Sequence, residues 1–192
     1  MKKAILFTVL ALAAALTMIY TADIKVALYF NEHTQLRPFF EIVTFFGRAD
    51  IFLIFSVIVY LVFRKKDPKK AKTAKGLFLS IALSGIAVLT LKSIFARYRP
   101  KMLIEENLYG FNWFDIGYSV ASFPSGHTTT AFAVFVYLAL VYRKYALLLW
   151  SIALLIGFSR VVLGAHYPSD VIAGAVLGSW CAYISHRAVW RG

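Results

Sequence analysis

Long uncharged apolar runs alternate along this chain with short polar segments, most of them basic. The first run, residues 4–22 (AILFTVLALAAALTMIYTA), holds 19 uncharged residues behind Lys2 and Lys3, enough helix to cross ~30 Å of hydrocarbon. A signal peptide is the alternative, but Tyr20 stands where a cleavage site before Ala22 would want a small residue. A second run, 51–63, is 13 residues long and is expected to begin a few residues earlier, with Arg48 and Asp50 at its outer end. Further runs cover 76–91, leading up to Lys92, then 122–142, 145–159 and 171–185. No period-two alternation marks a strand, and there is no internal repeat. The pattern predicts an all-α fold, a six-helix transmembrane bundle that forms one integral-membrane domain over residues 1–192.

Composition sharpens this picture. Hydrophobic residues make up 60% of the chain, well above the half found in soluble domains. The single Cys181 has no partner, so neither a disulfide framework nor a cysteine metal site is available. The net charge of +12 could suggest nucleic acid, but the basic residues follow the helix ends instead. With the N-terminus in the cytoplasm, thirteen of the 21 Lys and Arg fall on the inner side. Seven of these lie in the segment 64–75 (RKKDPKKAKTAK), read as a basic loop; eight of the nine acids, all but Asp67, fall outside. This is the positive-inside bias of a membrane protein, with both termini cytoplasmic and no nucleic-acid partner implied.

In that topology three polar clusters reach the outer membrane face. Lys92, Arg99 and Pro100 leave the third span, and seven residues of helix would point Lys92 and Arg99 the same way, although Pro100 disfavours helical geometry at Arg99. Pro124-Ser125-Gly126-His127 opens the fourth span, and Ser159-Arg160, His166 and Asp170 link the fifth to the sixth. An isolated cation at a helix end can simply snorkel to the headgroups, and Asp170 after Pro168 suits a helix start. Six such residues gathered on one face call for a common ligand. Lys92, Arg99 and Arg160 can neutralise a phosphoryl group, with arginine forks matched to its oxygens. Ser125 and Gly126 offer unpaired backbone N–H groups at a helix start. Two histidines permit a nucleophile and a general acid, and Asp170 could hold the nucleophile's tautomer. Spacing alone leaves open which histidine attacks.

The motifs Lys92-x6-Arg99-Pro100, Pro124-Ser125-Gly126-His127 and Ser159-Arg160-x5-His166-x3-Asp170 match every fixed position of the type 2 phosphatidic acid phosphatase superfamily, which the chain resembles. The resemblance implies that His166 is the nucleophile forming a phosphohistidine, that Asp170 orients it, and that His127 protonates the leaving group. It assigns Lys92, Arg99, Arg160, Ser125 and Gly126 to phosphate binding, and it implies no metal and no cofactor. Glu105, Glu106 and Asp115, scattered through the segment 101–122, lack metal-binding spacing. The implied activity is that of a bacterial inner (cytoplasmic) membrane lipid phosphatase, with its site on the periplasmic side and membrane lipids as its surroundings. Its candidate substrates are lipid A 1-phosphate, undecaprenyl diphosphate and phosphatidylglycerophosphate, and no obligate protein partner is implied. A phosphotransferase of the same family and a lipid or phosphate transporter are the alternatives. The segment 101–122, read as a loop, offers Tyr109, Phe111, Trp113, Phe114 and Tyr118 for either a lipid-access rim or an ordinary aromatic belt.

Overall fold

The computed structural model describes residues 2–190, so Arg191, counted above among the inner basic residues, lies outside it. Among the described residues the chain is helical, without a β-strand. In chain order the helices are α1 (Lys2–Thr21), α2 (Asp23–Glu32), α3 (Arg37–Phe45), α4 (Ala49–Phe63), α5 (Pro68–Phe95), α6 (Pro100–Glu106), α7 (Gly126–Val141), α8 (Ala146–Val162) and α9 (Pro168–Trp190). A single 3₁₀ turn, Arg143–Tyr145, joins α7 to α8. Among the described residues four stretches are long and apolar enough to cross a bilayer: Ala4–Thr21, Arg37–Phe63, Pro68–Phe95 and Arg143–Val162. Helix α7 is apolar but shorter, at 16 residues. Each apolar run of the sequence falls on a helix.

Two segments read as loops contain helix. The basic segment 64–75 is helical from Pro68 onward, because the Asp67 side chain accepts from the backbone N–H groups of Lys69 and Lys70 and Pro68 occupies the first turn. The segment 101–122 begins with α6, started by Pro100 after an extended Arg99 and ended at Asn107 in the left-handed conformation.

Helix α7 is the axis of the packing. Its apolar residues surround it instead of forming one stripe, and Thr128 through Tyr137 are all buried, as a helix apolar on all sides must be. Helices α5, α8 and α9 pack around it, α4 lies against α5, and α1 lies against α9. The contact with α9 depends on two glycines four residues apart. A Cβ at Gly174 would stand 2.8 Å from the Ser125 carbonyl oxygen, and one at Gly178 would stand 2.3 Å from that of Thr129. Such a small-residue stripe lets two backbones approach where lipid supplies no hydrophobic drive. Leu77, Ile81, Phe132, Val134, Tyr137 and Ile156 belong to the buried core cluster. Large apolar side chains on α1 and α4, Phe7, Leu10 and Ile54 among them, point outward.

Candidate active site

The C-terminal ends of α5 and α8 and the N-terminal ends of α7 and α9 meet at one end of the bundle, and every predicted site residue is there. Lys92 sits one turn before the end of α5. Its ammonium donates to the Ala121 carbonyl. Helix α5 then stops at Ala96, which takes φ 42°, so Arg99 is not on the same helix as Lys92. The two converge by another route. Arg99 leaves an extended segment that is tied to the loop before α7 through Arg99 N–H to Ser119 O (2.9 Å) and Ser122 N–H to Arg97 O (3.0 Å). Its guanidinium donates to Tyr118 O (2.8 Å), Ala121 O (3.2 Å) and Ala165 O (3.4 Å). Lys92 and Arg99 therefore share the Ala121 carbonyl. Burial, the largest influence, holds the pKa of Arg99 below its ordinary value.

Ser125 caps α7 in an extended conformation and donates its backbone N–H to the Asp170 carbonyl oxygen at 3.1 Å. Its hydroxyl accepts from Thr128 at 2.9 Å. Gly126 has Lys92 as a neighbour: a Cβ there would lie 3.9 Å from the lysine Cε. His127 packs against Gly47, the break between α3 and α4, where a Cβ would come within 3.0 Å of the imidazole. Arg160 donates to Thr44 Oγ1 at 2.6 Å, and its buried Nε has no protein partner. Arg160, Arg99 and Lys92 all lie within electrostatic reach of His127.

His166 occupies the turn between α8 and α9, where its backbone N–H and that of Ala165 both donate to Arg160 O. The residue is 4% exposed. Its Nδ1 faces Asp170 Oδ2 at 3.7 Å, an electrostatic contact longer than a hydrogen bond. Burial, with smaller contributions from Lys92 and Arg99 and against the opposing pull of Asp170, pushes the imidazole down to about 3. The histidine is therefore neutral at physiological pH.

Two site residues were not legible in the sequence. Asp170 is fully buried, and its closest partner is Arg97, inside the spacer of the first motif, whose Nη1 donates to Oδ1 at 2.5 Å. Ser122 Oγ and the Tyr167 N–H donate to Oδ2 at 2.7 and 2.9 Å. Arg97 is also fully buried, and its other arm donates to Asp23 at 2.8 Å and to the Tyr109 hydroxyl at 2.9 Å. Asp23 in turn accepts from the Ser169 N–H at 3.1 Å and from the Ser169 hydroxyl. Burial disfavours the Arg97 charge, yet Asp170 and Asp23 together hold its pKa above the ordinary value. A buried ion is tolerable only when paired and hydrogen-bonded in this way. The result is a chain Asp23–Arg97–Asp170–His166 that links the start of α2 to the turn that carries His166. Tyr109, half-buried, belongs to this network and also donates to Ile19 O at 2.7 Å. Trp113, Phe114 and Tyr118 are exposed, while Phe111 packs against Phe95 and Phe123.

Known proteins share the fold and the family. The solved structure of Aquifex aeolicus LpxE is 28% identical and superposes with a TM-score of 0.64, covering 86% of this chain and 94% of that one. A transmembrane PAP2 type phosphatidylglycerolphosphate phosphatase from Bacillus subtilis, at 21% identity, shares the fold with a TM-score of 0.65 over 95% and 92% of the two chains. A lipid A 1-phosphatase of Rhizobium etli is 32% identical over 76% of this chain and 68% of its own length. An undecaprenyl-diphosphatase of Sulfolobus acidocaldarius is 27% identical over 81% of this chain and 72% of its own. Residues 73–192, which carry all three motifs, match the PAP2 superfamily of type 2 phosphatidic acid phosphatases, and this multi-pass membrane protein belongs to it.

Proposed function

We propose that the chain is a single-domain lipid phosphatase of the bacterial cytoplasmic membrane. In this reading α1, the pair α3–α4, α5, α7, α8 and α9 make six crossings. Both termini are cytoplasmic and the catalytic end faces the periplasmic side. The substrate is a membrane lipid phosphate or diphosphate. The observation that carries the reading is the meeting of Lys92, Arg99 and Arg160 with His127, His166 and Asp170 at one end of the bundle. Relatives named for lipid A 1-phosphate and undecaprenyl diphosphate support the lipid substrate.

The chemistry follows from the groups present. Lys92, Arg99 and Arg160 hold the phosphoryl oxygens, helped by Ser125 and the Gly126 N–H at the start of α7, where the helix dipole favours an anion. With Nδ1 turned to Asp170, His166 presents Nε2 to phosphorus. A bond forms from Nε2 to phosphorus, the bond from phosphorus to the lipid oxygen breaks, and His127, protonated once the bound phosphoryl anion offsets the nearby cations, gives its proton to that oxygen. His127, now neutral, takes a proton from water as the water attacks the phosphohistidine, releasing phosphate and restoring both histidines. The cations stabilise the charge on the equatorial oxygens throughout, and no step calls for a metal.

The test is phosphate release by the purified protein from a panel of lipid phosphates. Release is expected to persist in excess EDTA and to be blocked by vanadate, which adopts the five-coordinate geometry of attacked phosphorus. Activity that is lost on chelation and restored by Mg²⁺ or Zn²⁺ would contradict the mechanism.

A further inference from the structure

A cavity of about 310 Å³ opens beside the reactive turn, lined by Arg37, Arg99, Lys101, Glu105, Tyr118 and Ala165, among others. That is at the small end of ligand pockets, roughly 300–1,000 Å³. Arg37 lies outside all three motifs, and the phosphoryl chemistry above makes no use of it. It projects from the first turn of α3, donates one nitrogen to Phe30 O at 3.1 Å, and keeps a buried Nε with no protein partner. The same nitrogen, Nη2, also rests on the turn that leads to His166: a Cβ at Gly164 would stand 3.8 Å from it. Gly164 itself has φ +63°, a conformation glycine adopts without strain. Arg99 reaches the same turn, through Ala165 O. Lys101 is exposed and stands 3.7 Å from the likewise exposed Glu105, which also lines the cavity, so their charges offset. The cationic character of the cavity therefore comes from Arg37 and Arg99, two guanidinium groups against one turn. Arg99 is shared with the phosphate site, so an anion in the cavity would be next to the phosphoryl group under attack.

We propose that this cavity is a second anion subsite that holds the inner phosphate of a lipid diphosphate while His166 attacks the outer one. The proposal rests on the functional reading above and deepens it. It makes lipid diphosphates the preferred substrates over the matching monophosphates. The bond broken is the bridging phosphorus–oxygen bond, and the leaving group is the lipid monophosphate, whose oxygen carries the departing electron pair with Arg37 and Arg99 beside it. Arginine suits this task because its fork can engage two phosphate oxygens at once.

The experiment compares farnesyl diphosphate with farnesyl monophosphate as substrates of the purified full-length protein in detergent. The readout is the ratio of the two kcat/KM values. The wild type should favour the diphosphate, and Arg37→Gln should lower that ratio by about 10- to 100-fold, the loss expected for one charge-assisted hydrogen bond. Arg37→Lys should fall between them. Inorganic diphosphate, which can span both subsites, should inhibit the wild type more tightly than inorganic phosphate does; this comparison needs no variant. A ratio unchanged by Arg37→Gln, or equal inhibition by the two inorganic anions, would overturn the subsite and leave the phosphatase reading intact. Turnover of neither farnesyl lipid, with release from another lipid phosphate of the panel, would also overturn the subsite; release from none of the panel would overturn both.

Discussion

As the proposed nucleophile, His166 has to be neutral, and its surroundings keep it so. Enclosure by protein disfavours the imidazolium, and the nearby Lys92 and Arg99 charges add to that, against the opposing pull of Asp170. A depressed histidine pKa has a definite sign. The ring takes up its proton only as the pH falls toward about 3, whereas the same histidine in the unfolded chain titrates near ~6.5. The fold thus loses stability through this group as pH falls from about 6.5 toward 3, because the unfolded state binds the proton first. In ¹⁵N-histidine NMR of the protein in micelles, His166 should stay neutral from about pH 8 to about pH 5. A midpoint near 6.5 would show that the enclosure does not act as described.

The way helices meet sets the site's geometry, and the α7–α9 contact controls it most directly. Gly178→Ala puts a methyl group onto the Thr129 carbonyl, where a Cβ would stand at 2.3 Å. Overpacking of this kind costs ~1–3 kcal/mol, and here it pushes the start of α7 away from Asp170. Gly85→Ala is the matched control: nothing lies within 4 Å of the added atom, and replacing a helical glycine stabilises by roughly 0.5–1 kcal/mol. Thermal unfolding in detergent should show the first variant with a lowered Tm and the second with an unchanged or raised one. A tolerated Gly178→Ala would mean that the two helices can part at no cost.

At this scale the helices themselves were legible, because long apolar runs in a chain of this composition have little else to become. The helical turns within the basic segment 64–75 and at Pro100–Glu106 were less so, since charge and loop-like composition masked the capping by Asp67 and Pro68 and by Pro100. The motif residues could be picked out because spacing and residue type identify them. Arg97 and Asp23 could not, as they lie 74 positions apart in sequence and only the fold brings their side chains to 2.8 Å. Nor could Tyr109 be separated from the other aromatic residues around it, since only its hydrogen bonds to Arg97 and Ile19 distinguish it.

For the whole molecule the question is which side of the membrane the site faces. In the proposed topology the basic segment 64–75, at the end of α4 and the start of α5, marks the cytoplasmic side, and the catalytic end lies on the other side. Ile116, 85% exposed near the catalytic end, and Lys66, exposed in the basic segment, are suitable reporters once the buried Cys181 is replaced by serine. In intact spheroplasts Ile116→Cys should react with a membrane-impermeant maleimide, and Lys66→Cys should react only after lysis. The reverse pattern would leave the phosphatase chemistry in place but move it to lipids on the cytoplasmic leaflet.

The central claim is that His166 becomes phosphorylated, and the most direct measurement traps that state. In His127→Ala the general acid is gone, which matters little for an aryl phosphate whose leaving group needs no proton. Attack of water on the phosphohistidine should then lose the ~10²–10⁴-fold contributed by acid–base catalysis. The intermediate should accumulate. With ³²P-labelled 4-nitrophenyl phosphate, the His127→Ala protein should release a burst of nitrophenolate approaching one per active site. An alkaline quench should leave a protein-bound label that survives base, is lost in acid, and maps to His166. Label stable in acid, label on another residue, or an undiminished burst when His166→Ala is added would contradict the account.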